Sequence, residues 1–105
     1  MAAREQGVFA ISVAARMASM EIQNLRVYER RGLVSPDRTP GGTRLYSADD
    51  VERLVRIRDL LGEGLNLAGI AKVLELEAIV DQLNRDAGRR RARASRPSAT
   101  RSSRS

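Results

Sequence analysis

The sequence predicts a mostly α-helical domain interrupted by one small β-hairpin. Three observations predict it. Apolar residues recur at helical spacing in four separate stretches. Between the second and third stretches, "LVSPDRTPGGTRLY" gathers two Pro and two Gly, which forbid helix and allow a tight turn. The apolar fraction is 42%, with one Phe, two Tyr and no Trp among 105 residues, so the core must be aliphatic. A domain this small is marginal alone and often relies on a partner subunit.

The elements follow in order. Residues 1–7 lack periodicity and read as a disordered N-terminus. "VFAIS" is a short apolar run ending in a hydroxyl, and Ser12 can cap a helix through Val13–Ala18 with Val13, Ala14 and Met17 inward. Ser19–Met20 breaks it. A second helix runs from about Glu21 to Arg31, with Ile22, Leu25 and Tyr28 on one side and Gln23, Asn24, Val27 and Arg31 on others. Ser19 is its capping side chain, Arg30 and Arg31 suit its last turn, and Gly32 supplies a left-handed stop. Gly41-Gly42 then permits a hairpin between a strand near Arg38 and one at Arg44–Tyr46. Ser47 with Asp50 resembles a capping box opening a third helix, about Ala48–Gly62, with Val51, Leu54, Val55, Ile57 and Leu61 inward. After "GEGLN", Asn66 caps a fourth helix, Leu67–Leu74, with Leu67, Ile70, Ala71 and Leu74 inward. Leu76, Val80, Leu83 and Ala87 step by four, three and four, a short coiled-coil seam ended by Gly88. The Arg/Ser-rich segment 88–105 reads as disordered.

Composition excludes much chemistry. The sequence has no Cys and no His, so disulfides, thiolate catalysis, Cys/His zinc sites and His acid–base catalysis are excluded. No apolar run approaches the ~18 residues of a membrane span, and "MAAREQG" lacks a signal-peptide core, so a cytoplasmic protein is expected. The net charge of +6 is a property of the tail: residues 88–105 hold seven Arg and no acid, and residues 1–87 carry a net −1. Charge is nonetheless segregated locally. Arg26, Arg30, Arg31, Arg38 and Arg44 face only Glu29 and Asp37, whereas the next segment is acidic, with Asp49, Asp50, Glu52, Asp59 and Glu63. A bound polyanion would favour that asymmetry. Glu29 would repel phosphate, so it is expected to pair with a nearby Arg or cap a backbone group. Arg53, Arg56 and Arg58 read as a solvated helix face.

Two helices joined by a tight turn form either a helix-turn-helix or an ordinary helical hairpin, and the basic, Gly-tipped hairpin that follows favours the former. From Ile11 to Leu61 the sequence resembles the DNA-binding domain of the MerR family of bacterial transcription regulators. The shared pattern is Leu-Arg-x-Tyr-Glu, then Gly-Leu, then Gly-x-Arg-x-Tyr and an acidic-capped helix, all within "NLRVYERRGLVSPDRTPGGTRLYSADDVERL". "GLNLAGIAKVLELE" resembles the family's next helix, and the likeness covers about residues 9–84. "GLVSPDRT" and "NLAGI" most resemble its heat-shock repressor branch.

The resemblance implies a winged helix-turn-helix over residues 8–75, with a small β-hairpin wing, a following helical pair and a short C-terminal dimerisation helix at 76–87 (Leu76, Val80, Leu83). It places the second helix in the major groove, with Gln23, Asn24 and Val27 toward base edges. Gln and Asn suit adenine edges by bidentate geometry, and Asn24 stands where the family usually has Thr. Arg26 and Tyr28 match residues that touch phosphates, although core packing with a wet hydroxyl is a second reading of Tyr28. Arg44 and Tyr46 match the wing's Arg and Tyr, with Arg38 a further phosphate candidate.

The expected function is sequence-specific regulation of transcription on double-stranded DNA. The expected form is a homodimer on an inverted repeat, repressing stress or heat-shock genes, with RNA polymerase or a chaperone co-repressor as further partners. No enzyme activity, cofactor, metal or membrane association is expected. Two other readings stay open: an RNA-associated protein binding through its tail, and a winged-helix interaction adaptor.

Overall fold

The computed structural model describes residues 3–95. In chain order it contains α1 (Ile11–Met17), α2 (Ile22–Arg30), β1 (Asp37–Arg38), β2 (Arg44–Leu45), α3 (Ala48–Gly62) and α4 (Leu67–Ser95). The chain forms two compact units that meet in sequence after Ile70.

In the first unit the segment before α1 is extended and paired. Val8 and Phe9 donate their amides to the Tyr46 carbonyl (3.0 and 2.9 Å), and the Tyr46 amide donates back to Phe9 (2.7 Å). The chain leaves this pairing at Ala10 and turns at once into helix. Ala10 is therefore the N-cap, and Ser12, expected to cap, lies inside the first turn. The shift moves the inward face to Ala14, Ala15 and Ala18, leaving Val13 half-buried and Met17 exposed. Ser19 takes a left-handed conformation (φ 57°) at the turn into α2.

The N-cap of α2 is Glu21, with no side-chain cap, and not Ser19. The helix buries Leu25 and Tyr28, with Ile22 half-buried. It ends as expected at Gly32 (φ +77°), where the Gly32 amide bonds the Glu29 carbonyl (2.9 Å) and the Leu33 amide bonds the Tyr28 carbonyl (2.8 Å). This Schellman arrangement satisfies the last carbonyls and drops Leu33 and Val34 into the core.

β1 and β2 pair antiparallel, with Asp37 opposite Leu45 and Arg38 opposite Arg44. At the tip the Gly42 amide bonds Thr39 (2.8 Å), the Thr39 amide bonds Thr43 (2.9 Å), and Gly42 carries the positive φ (+91°). The N-terminal segment is not loose over residues 3–7. Arg4 pairs with Asp49 (3.0 Å) and Glu52 (2.6 Å) at the acidic start of α3, and the Gly7 amide donates to Asp37 (3.0 Å). Gly7 lies so close to the hairpin that a Cβ there would sit 2.5 Å from the Leu45 carbonyl oxygen.

α3 opens with the full capping box: Asp50 amide to Ser47 Oγ, and Ser47 amide to Asp50 Oδ2, both 2.9 Å. It buries Val51, Leu54, Ile57 and Leu60. Leu61, expected inward, is exposed, because the buried face advances by three residues at each step. α4 begins with the expected Asn66 cap, whose Oδ1 accepts from the Gly69 amide (2.8 Å). Ile70 and Leu74 are buried, Leu67 is half-buried and Ala71 is exposed.

The expected stop at Gly88 is absent. α4 is one helix of 29 residues, so residues 88–95, expected to be disordered, are helical. Ala and Arg are strong helix formers, and one interior Gly costs only about 1 kcal/mol. Residues 96–105 of the expected disordered tail lie outside the described residues.

Candidate nucleic-acid interface

At about 100° per residue, the side of α2 opposite Leu25 and Tyr28 carries Gln23, Val27 and Arg30, one and two turns apart. Gln23, Asn24, Arg26 and Arg30 are exposed and Val27 is half-buried. Arg30 joins this face, beyond its place as a favourable charge in the last turn and as part of the basic segment. The same periodicity, carried one step further, would have found it. Arg16, Arg26, Arg30 and Arg31 make no ion pair among the described residues.

The wing is tied to this helix through Glu29. One carboxylate oxygen accepts from Arg38 (2.6 Å) and the other from Arg44 Nε. Arg38 also donates to the Gly42 carbonyl at the hairpin tip (3.0 Å). The expected pairing of Glu29 with a nearby Arg is thus doubled. Burial alone would raise the Glu29 pKa, but the hydrogen bonds from Arg44 and Arg38, with their charges, outweigh it and hold the carboxyl below its ordinary value. The hydrogen bond to Glu29 raises Arg44 in turn.

One tyrosine requires correction. Tyr28 is 5% exposed, so its ring is core-packed as one reading held, and it still lines a surface pocket beside Arg16 and Asn24. Tyr46 is fully buried and presents no surface to a phosphate, and its hydroxyl has no hydrogen-bond partner among the described residues. Residues two apart on a strand share a face. Arg44, at the rim, reaches Glu29, whereas Tyr46, two residues nearer the base, enters the core beside α3. Burial pushes both hydroxyls up in pKa.

Two arginines of α3, expected as a solvated helix face, stay partly exposed and also brace the helix-turn-helix. Arg53 Nε donates to the Leu33 carbonyl after α2, and Arg58 donates to the Ala18 carbonyl at the end of α1 (3.0 Å). The end of α1 leaves the Ala18 carbonyl without an intrahelical partner. Among the described residues there is no cluster of three or more metal-ligating side chains, and no helix is long and apolar enough to cross a membrane.

Two short helices at a tight turn, the second ion-paired to a basic two-stranded hairpin, make this a winged helix-turn-helix domain. Residues 9–77 match the sequence profile of the MerR HTH family regulatory proteins, and the chain belongs to that family. It is 52% identical over 77 residues to HspR of Streptomyces coelicolor, a protein named for heat shock, covering 72% of this chain and 51% of that one. It is 44% identical over 71 residues to the transcriptional regulator GlnR of Bacillus anthracis, covering 68% and 55%. The chain spans about half the length of these curated relatives.

Among solved structures, it resembles HiNmlR, a MerR family regulator lacking the sensor domain, bound to promoter DNA. There the TM-score is 0.62 and the identity 25%, covering 68% of this chain and 55% of that one. A MerR family transcriptional regulator from Bacillus cereus gives a TM-score of 0.61 at 27% identity, covering 87% and 72%.

Proposed function

We propose that this chain is a DNA-binding regulator of transcription that reads duplex DNA with α2 and grips the adjacent backbone with its wing. The observation that carries the reading is the Glu29 bridge, which joins the exposed face of α2 and the arginines of the hairpin into one basic surface. Gln23, Asn24, Val27 and Arg30 stand where base edges would be met, and Arg26, Arg38 and Arg44 where phosphates would be. Tyr28 and Tyr46 support that surface from beneath. Burial of both tyrosine rings, with Phe9 half-buried, leaves no exposed ring among the described residues for stacking single-stranded bases. Kinship with HspR, a protein named for heat shock, supports a role at heat-shock or stress genes. The proposal extends this to repression on the chromosome in the cytoplasm, with RNA polymerase or a chaperone co-repressor as partner.

The same reading includes a homodimer on an inverted repeat. α4 exposes Leu76, Ile79, Val80 and Leu83 along one side, an apolar stripe that a second copy would cover. Acids predominate in its first half (Glu75, Glu77 and Asp81 against Lys72) and arginines in its second (Arg85, Arg89, Arg90, Arg91 and Arg93 against Asp86). An antiparallel partner would therefore set opposite charges side by side.

Selecting genomic fragments with the purified chain tests the whole proposal, since it yields site, symmetry and spacing together. On the selected duplex, Arg44→Ala should weaken binding to every sequence and lower the salt dependence. Gln23→Ala should relax sequence preference. Equal affinity of the wild type for the selected and a scrambled duplex would refute specific reading.

A further inference from the structure

Arg38 and Arg44 are direct cross-strand partners, so their side chains leave one face of the hairpin next to each other. Like charges in that position repel, and the strands are short, two residues each, closed at the tip by the Thr39–Thr43 bonds. Left alone, the two guanidiniums would splay and fray the wing. Glu29 meets both, one oxygen to each, from a neighbouring helix and from a largely buried position (19% exposed). The manner of holding matters. Arg44 is gripped at Nε, and its two terminal nitrogens make no hydrogen bond among the described residues. Arg38 is gripped at one terminal nitrogen while the other is fixed to the Gly42 carbonyl. The fork of Arg44 is thus oriented but not consumed, and the charge-assisted bonds that orient it are of the strong kind.

Resting on the DNA-reading proposed above, we infer that Glu29 is a positioning residue for the interface, a shared carboxylate that sets both wing arginines relative to α2 so that they meet duplex phosphates together. It touches no DNA itself. Electrostatics alone makes the opposite forecast. A carboxylate near a polyanion repels it, so deleting the charge should tighten binding and steepen the salt dependence. Positioning forecasts weaker binding and a shallower slope, because ordered phosphate contacts are lost. The two accounts differ in sign.

The test uses the full chain, the duplex selected by the wild type and a scrambled duplex of equal length, in salt titrations. Glu29→Ala should bind the selected duplex about tenfold more weakly, with a log–log salt slope lower by about one to two. Glu29→Gln removes the same charge but keeps one carbonyl acceptor, so it should lie between. In an Arg38→Ala/Arg44→Ala background Glu29→Ala should cause no further loss of affinity, whereas a merely structural role would still reduce affinity there. Circular dichroism and thermal melting check folding, and Glu29→Gln carries the same comparisons if the alanine variant does not fold. Unchanged or tighter binding by the Glu29 variants, or an undiminished loss in the double-alanine background, overturns the inference and leaves the DNA reading standing. A wild type that selects no duplex overturns both.

Discussion

Replacing Tyr46 by Phe separates a structural tyrosine from a DNA-contacting one. The ring is fully buried and its hydroxyl lacks a partner among the described residues. Mutational data put the cost of burying an unbonded hydroxyl at about 1–3 kcal/mol. Phe keeps the ring and its packing and removes only the polar atom, so Tyr46→Phe should be stabilising by about 1 kcal/mol. For a domain of this size that corresponds to a rise in Tm of roughly 4–8 °C. The measurement is a circular-dichroism melt at neutral pH beside a binding titration on the selected duplex. Affinity should be unchanged, since the hydroxyl has no exposed surface. The ring lies far from its ionisation range at this pH because burial raises the hydroxyl further, so no phenolate complicates the comparison. A fall in Tm would show that the hydroxyl is bonded in the folded chain. A several-fold loss of affinity with Tm intact would show that Tyr46 reaches the DNA, and the burial argument would fail.

Other outcomes follow from the same geometry. Ser47→Ala breaks the capping box of α3 and should cost about 1 kcal/mol in urea unfolding; an unaltered midpoint would count against the cap. The folded-state pKa of Glu29 lies below its ordinary value. Its stabilisation is therefore complete above the unfolded carboxylate pKa of about 4.3 and is lost as pH falls through the folded value. Glu29→Gln should accordingly flatten the acid limb of stability against pH, and identical acid limbs for variant and wild type would contradict the ion-pair account. Val80→Asp places a charge in the apolar stripe of α4 and should turn a dimer into a monomer in sedimentation at matched concentration. A dimer that survives it would locate self-association elsewhere.

Much of the architecture was legible because its determinants are local. The Gly32 stop, the Ser47–Asp50 box, the Asn66 cap and the glycine tip of the wing each close hydrogen bonds within a few residues, and those residue types advertise them. The pairing of Glu29 with arginine was also legible, from the conflict a carboxylate would have with phosphate. The start of α1 was not. It depends on Phe9 meeting Tyr46, a contact between distant parts of the chain that advances the helix and replaces Met17 by alanines on its inner face. Arg30 was assigned to the helix end and not to the outward face it shares with Gln23 and Val27. The length of α4 was not legible either: Gly88 signals a break, and the helix-forming Ala/Arg run beyond it overrides that signal.

By itself the amino-acid order determined that there are helices in four places, the caps of α3 and α4, the glycine stop of α2, the hairpin turn and the clustering of arginine around the wing, since backbone hydrogen bonding and φ preferences act over one or two turns. Only the tertiary structure decided which aromatic ring is core and that Glu29 holds two wing arginines at once. It alone showed that Arg53 and Arg58, while still partly exposed, donate to carbonyls of the helix-turn-helix. Those outcomes depend on which distant groups share a low-dielectric space, and a buried polar atom takes whatever partner the packing brings within reach.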